Sequence, residues 1–371
     1  MSIVRKYVLL FVLTILSSTF VNAQTVTFTA KGHIQGLPDG EVYLAYGSFN
    51  TMKADTVLAK DGHFVFNGNI EEPCYGMLFT HDYRLKVDLF LDAGSISVEG
   101  DMNAIDEIDV KGSPVVNEYA SYNRSVLDTR RPVQKIYEAW INAYQAGDSI
   151  KSEQYKQRFA AARDTQSVVQ AATQLQFIQK HPGSYVSAWE LMHRIDGHNL
   201  QQGIALYDKL SPVIQQSKQG REIAERIALL SKVETGNTAP AFKQTSLDNR
   251  GIALADYKGK YVLLEFWASW CGPCRAEIPN LVNEYHQFKD RGFDILSVSL
   301  DDDKTKWKAA VEQHKMPWIQ VSDLKGWKNE VARLYGINAV PANFLIDPDG
   351  RIIAQNLRGD LLSDKLKELL K

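Results

Sequence analysis

Residues 261–275 read Tyr-Val-Leu-Leu-Glu-Phe-Trp-Ala-Ser-Trp-Cys-Gly-Pro-Cys-Arg. The apolar-rich run Tyr261 to Trp267 has the length and composition of a buried strand. A sharp turn follows, and a helix opens at the two cysteines. Cys271 then sits at a helix N-terminus, where about half a positive charge and several unpaired N–H groups favour a thiolate. Such a position lowers a cysteine pKa from about 8.5 into a range of roughly 3.5–7.5. Cys274, one turn further in, is placed to attack a mixed disulfide formed on Cys271.

Other uses of a Cys-x-x-Cys pair fit less well. Half of a zinc site needs a second ligand pair at matching spacing. The chain has only one further cysteine, Cys74, and its 8 histidines show no partner pattern, so no metal site is expected. A structural disulfide across one helical turn closes almost no loop and stabilises little. Strand, turn, Gly-Pro and helix together point to redox exchange.

A chain of 371 residues is long for one domain and predicts two or three. Apolar content of 44% and charged content of 23% are those of an ordinary globular protein with ample core. The net charge of −2 gives no reason to expect nucleic acid as a partner. Residues 1–23 read as an export signal: Arg5 and Lys6, an apolar run from Tyr7 to Leu16, then small residues up to Ala23. Cleavage is expected between Ala23 and Gln24. The apolar run is short of the roughly 20 residues that span a bilayer. In a bacterium the product is periplasmic, with membrane association left open.

Residues 24–113 have a β pattern. Val26–Ala30, Glu41–Ala45, His63–Phe66, Gly76–Thr80, Lys86–Leu91 and Ser95–Glu99 are short runs between glycine-rich turns. A small antiparallel sandwich or barrel is expected. Its Cys74 could act as a relay thiol, although a lone cysteine beside a strand is more often a small buried apolar residue. Residues 114–233 change to helical spacing, with helices at Val126–Gln145, Ser152–Phe177 and Ala224–Leu230, and one through Trp189–Met192. His193 and His198 do not share a helix face and read as packing or surface residues. This region is expected to be a spacer or a homodimer element. Glu234–Pro240 reads as a linker, and residues 234–371 alternate strand and helix, which implies a mostly parallel sheet.

This last segment closely resembles the thioredoxin superfamily, and within it the TlpA/ResA-like thiol–disulfide oxidoreductases. Trp267–Cys274 carries most of the resemblance, and Ala339-Val340-Pro341-Ala342 matches the family's cis-proline segment. Leu300-Asp301 and the helix after it look like the start of the family's insertion. The front two thirds resembles, more loosely, a domain of unknown function plus helical linker found on such proteins in Bacteroidetes-type bacteria. The architecture implied is an N-terminal all-β sandwich or barrel, a central helical region and a C-terminal α/β thioredoxin-like fold.

The resemblance implies roles. Cys271 is the attacking thiolate and Cys274 the resolving thiol. Pro341, if cis, lies against the disulfide and leaves the Val340 backbone to pair with an extended substrate; Trp270, Gly272 and Pro273 complete that surface. Glu265 stands where thioredoxins carry a buried acid. In an apolar strand its pKa should rise, suiting it to exchange a proton with Cys274; the alternative is a solvent-facing carboxylate. Glu277 matches an acid held near the site in the ResA-like branch, or is a solvated helix residue. The Gly272-Pro273 dipeptide favours a reductase over an oxidase or isomerase. Implied substrates are disulfide-bearing exported proteins or apocytochrome c, recharged by a membrane thiol donor, with no cofactor. A peroxiredoxin needs threonine and proline at places held here by Ala268 and Leu264. A non-catalytic adaptor has no need of an activated thiol.

Overall fold

The computed structural model describes residues 25–197 and 199–371. The expected export signal, the expected Ala23–Gln24 cleavage junction and His198 lie outside the described residues. Eight strands build the front domain: β1 (Val26–Gln35), β2 (Gly40–Ser48), β3 (Thr51–Ala59), β4 (His63–Ile70), β5 (Cys74–Thr80), β6 (Lys86–Leu91), β7 (Gly94–Asp101) and β8 (Asp109–Lys111). They form two four-stranded sheets, ordered β4-β1-β7-β8 and β3-β2-β5-β6. Inward side chains of both, among them Phe28, Leu44, Phe66, Leu78, Leu89 and Val98, share one core. The arrangement is a sandwich whose pairings are antiparallel except one: β1 pairs in parallel with β7. Period-two alternation says which face a side chain takes and nothing about strand direction. Cys74 is buried in β5, where burial pushes its thiol up to about 12.

The helical region comprises α1 (Pro114–Gln145), α2 (Ser149–Lys180), α3 (Tyr185–Arg194), α4 (Leu200–Tyr207), α5 (Pro212–Gln216) and α6 (Lys218–Lys232). The first two are longer than their apolar spacing suggests. Ser113 caps α1 and Pro114 stands in its first turn. At 32 residues each, α1 and α2 form a hairpin about 48 Å long at 1.5 Å per residue. The base of α1 packs on the sandwich through Val116 and Tyr119, whereas α2 fully buries only Ile178. Among the described residues no helix is long and apolar enough to cross a membrane.

The rest of the region is no spacer. Leu191, Ile195, Leu206, Ile214, Ile223 and Leu230, together with Ile178 at the end of α2, belong to the same core as the C-terminal sheet. Residues 234–240 are likewise no free linker. Ala239 N–H donates to Gly350 O at 2.9 Å, and Gly236 N–H and Asn237 O pair with the two backbone groups of Ile352 at 2.7 and 2.9 Å. A Gly-Asn-Thr sequence satisfies turn chemistry, but a neighbouring strand edge with unpaired backbone groups captured it.

Sandwich and helices are joined by capping. Ser217 caps α6, and the Glu72 carboxylate, from the β4–β5 turn, accepts the N–H groups of Lys218 at 2.8 Å and Gln219 at 3.0 Å. These are N–H groups the helix itself leaves unpaired. Glu72→Ala is expected to lower stability by about 1–2 kcal/mol in thermal unfolding. An unchanged midpoint would show that water replaces the carboxylate without loss.

The C-terminal domain adds β9 (Lys243–Thr245), β10 (Gly251–Ala253), β11 (Tyr261–Trp267), α7 (Gly272–Phe288), β12 (Phe293–Ser299), α8 (Lys304–Gln313), β13 (Ile319–Val321), α9 (Glu330–Leu334), β14 (Ala342–Ile346), β15 (Ile352–Gln355) and α10 (Asp360–Leu369). Its main sheet is ordered β13-β12-β11-β14-β15. The first three strands are mutually parallel, while β14 and β15 run antiparallel as a hairpin, so the sheet is mixed rather than mostly parallel. β11 lies at its centre, with Val262 to Trp267 buried.

Candidate active site

The C-terminal end of β11 delivers the chain into Ala268-Ser269-Trp270, and Cys271 becomes the N-cap of α7 with an extended backbone. Cys271 and Cys274 are joined by a disulfide, with Cα atoms 5.3 Å apart. Both are buried but unequally: Cys271 is 5% exposed and Cys274 0%, so only the first reaches the surface. Cys274 N–H points at Cys271 Sγ from 3.2 Å. Gly272 and Pro273 lie exposed beside the bond.

Opposite stands the loop before β14, with a cis Val340–Pro341 peptide. Val340 O lies 3.7 Å from Cys271 Sγ. Arg358 donates to Pro341 O at 2.5 Å. Trp270 is half-exposed and its ring lies 5.9 Å from that of Trp327, an aromatic neighbour that local sequence reading did not single out.

Glu265 is buried and paired in register with Ser297 on β12 and Asn343 on β14. It does not face solvent. Burial pushes its carboxyl up to about 7, against the opposing effect of a Ser297 Oγ hydrogen bond at 2.5 Å; the Glu277 charge raises it further. Ser297 Oγ in turn accepts from Trp318 Nε1 at 2.8 Å. Glu277 is partly buried on α7, where its Oε1 accepts from Asn280 Nδ2 at 2.8 Å and from Gly359 N–H at 2.9 Å, tying α7 to the start of α10.

Asp301 is a further site residue whose role no local motif announces. It is 2% exposed and accepts Ser269 N–H at 2.9 Å, Ser269 Oγ at 2.5 Å and Ser299 Oγ at 2.7 Å, so it holds the turn that carries Cys271. Asp301→Ala leaves these donors unpaired and is expected to cost roughly 2–4 kcal/mol in denaturant unfolding of the oxidised chain. A loss below about 0.5 kcal/mol would mean the turn holds itself.

Residues 235–355 match the AhpC/TSA family, and residues 28–119 match a domain of unknown function, DUF4369. The thiol-disulfide oxidoreductase ResA of Bacillus thuringiensis subsp. konkukian is 36% identical over 140 residues, spanning 38% of this chain and 79% of that protein. The chain belongs to the ResA-like thiol–disulfide oxidoreductases of the thioredoxin superfamily. ResA of Bacillus subtilis is 31% identical over 121 residues, 33% of this chain and 66% of that protein. Among solved structures, the thioredoxin domain of a thiol-disulfide oxidoreductase from Bacteroides vulgatus is 41% identical, covering 37% of this chain and 98% of its own, with a TM-score of 0.36. A thiol:disulfide interchange protein from Bacteroides sp. is 40% identical, covering 38% and 91%, with a TM-score of 0.35. These relatives speak for the C-terminal part of the chain, and the matched domain of unknown function covers the sandwich.

Proposed function

We propose that the chain is an exported, periplasmic reductase of protein disulfides that works through Cys271 and Cys274. The observation that carries this reading is a disulfide at the N-terminus of α7 whose outer sulfur faces Val340 in the proline loop. Cys271 is the attacking sulfur and Cys274 the resolving one. Glu265 exchanges the proton of Cys274, and Pro341 with Val340, Trp270, Gly272 and Pro273 meets the substrate. Glu277 supports the site by fixing α10 and by its charge near Glu265. Residues 1–23 are the export signal, 24–113 the β-rich domain, 114–233 the helical region and 234–371 the redox domain. Substrates are disulfide-bearing exported proteins or apocytochrome c, a membrane thiol donor restores the dithiol, and the helical region is the surface for a homodimer. Ala268 and Leu264, where a peroxidase needs threonine and proline, speak against peroxide as the substrate.

Direction is tested by the reduction potential of the Cys271–Cys274 couple, measured in thiol buffers with alkylation and mass detection. A value at or below about −250 mV is expected for a reductase. A value near about −150 mV would make the protein an oxidase or isomerase, and no reversible couple would end the redox reading.

A further inference from the structure

A cleft of about 800 Å³ lies between the front regions and the redox domain, inside the roughly 300–1,000 Å³ typical of ligand sites. Phe49 and Asn50 of the β2–β3 turn, Glu225 and Leu229 of α6, and Trp327 and Ile337 of the redox domain line it. Two of its lining residues, Trp327 and Ile337, connect it to the surroundings of the disulfide. Trp327 packs beside Trp270, the residue before Cys271. Ile337 opens the loop that ends at Val340, 3.7 Å from Cys271 Sγ. Along that loop the N–H groups of Asn338, Ala339 and Val340 have no hydrogen-bond partner among the described residues. The position of this loop is set from the front: the buried Arg226 of α6 donates to Ile195 O at 2.8 Å and to Gly336 O at 3.3 Å. In the same wall, buried Glu222 takes Ser48 Oγ on one oxygen, while its Oε2 has no partner among the described residues.

An extended polypeptide suits these features. Its backbone offers partners to the unpaired loop, and its side chains alternate, so that one next to its cysteine turns into the cleft. The cleft carries charged side chains, among them Glu225, Lys328 and Arg333, but Phe49, Met192, Leu229, Trp327 and Ile337 also line it and offer apolar surface to such a side chain. We propose that this cleft is a specificity site, in which the β2–β3 turn and α6 select a bulky apolar residue beside the cysteine of a substrate polypeptide. The proposal rests on the thiol–disulfide reading of Cys271 and Cys274. A small disulfide has no group that reaches the cleft and is indifferent to it.

The test uses the full chain, reduced beforehand, and three probes: a synthetic peptide disulfide with leucine beside its cysteine, the same peptide with serine there, and hydroxyethyl disulfide. The wild type is expected to favour the leucine peptide by roughly tenfold or more in kcat/KM. Leu229→Asp and, separately, Asn50→Trp are expected to erase that preference and leave the hydroxyethyl disulfide rate unchanged. Asn50 is exposed, so its variant keeps the test decisive if Leu229→Asp does not fold. A preference that survives in the folded variants, or an equal loss on hydroxyethyl disulfide, overturns the cleft while the redox reading stands. No reduction of any probe by the wild type overturns the redox reading, and the cleft with it.

Discussion

Cys271→Ser is expected to abolish reduction of a protein disulfide, a loss of at least roughly a thousandfold, whereas Cys274→Ser should stall with substrate covalently attached. The two sulfurs share one disulfide but not one environment. Cys271 caps α7, so its thiolate meets the positive end of the helix and the Cys274 N–H at 3.2 Å. Cys274 is wholly buried within the first turn. In the proposed direction, the reduced enzyme starts by attack of Cys271 S⁻ on one substrate sulfur, and the steps that follow belong to that proposal. The substrate S–S bond breaks, its second sulfur leaves as a thiolate and takes a proton. Cys274, once deprotonated, attacks Cys271, closes the enzyme disulfide and releases the first substrate sulfur as a second thiol. Two electrons pass from the enzyme dithiol to the substrate. Mass spectrometry of each variant after exposure to a disulfide-bonded protein reads the outcome. Adduct on Cys274→Ser but not on Cys271→Ser fits the assignment; the reverse pattern exchanges the two roles.

How much of this was legible beforehand depends on the range over which each feature is encoded. The buried strand, the cysteine pair and the helix opening lie within fifteen consecutive residues, 261–275, and local spacing reports them. β3 escaped because Thr51-Met52-Lys53-Ala54-Asp55 faces solvent on both sides, so no alternation marks it. The early part of α1 escaped because its first turns, Asn117 to Arg124, are polar enough to hide the stripe that Val116, Tyr119 and Tyr122 bury. At the site, Glu265 and the Val340–Pro341 segment stand at places that the family resemblance marks. Their partners do not. Ser297 meets Glu265 only through parallel strand register, and Asp301 meets Ser269 from 32 residues away. Arg226 reaches the proline loop from 110 residues upstream. Pairings set by topology leave no trace in spacing. The same applies to the shared core, since an amphipathic helix shows that it needs a partner and not which one.

Glu265→Gln is expected to change two properties with opposite benefit. The folded carboxyl titrates at about 7 because burial disfavours its charge, against about 4.3 in an unfolded chain. Between these values the native state holds more protons than the unfolded state, so stability falls as pH rises through the window. The full effect is on the order of 3 kcal/mol, present as extra stability below the unfolded pKa and lost above about pH 7. A neutral amide at this position carries no such charge penalty. The oxidised variant should therefore unfold at nearly the same temperature at pH 5 and pH 8, and above the wild type at pH 8. Catalysis should move the other way. Cys274 is buried and can attack only after losing its proton, and a carboxylate titrating near 7 is matched to accept it. Release of the mixed disulfide should slow on the order of a hundredfold and lose its inflection near pH 7, while the first attack by Cys271 is unaffected. Rapid-quench measurement of the two steps across pH separates them. A resolved step with an unchanged profile would leave Glu265 a buried structural acid, and an unchanged stability profile would mean that water reaches it. The pairing of both effects in one residue follows from a single cause. The burial that makes this carboxyl costly at neutral pH is what places its proton affinity where exchange with a thiol is useful.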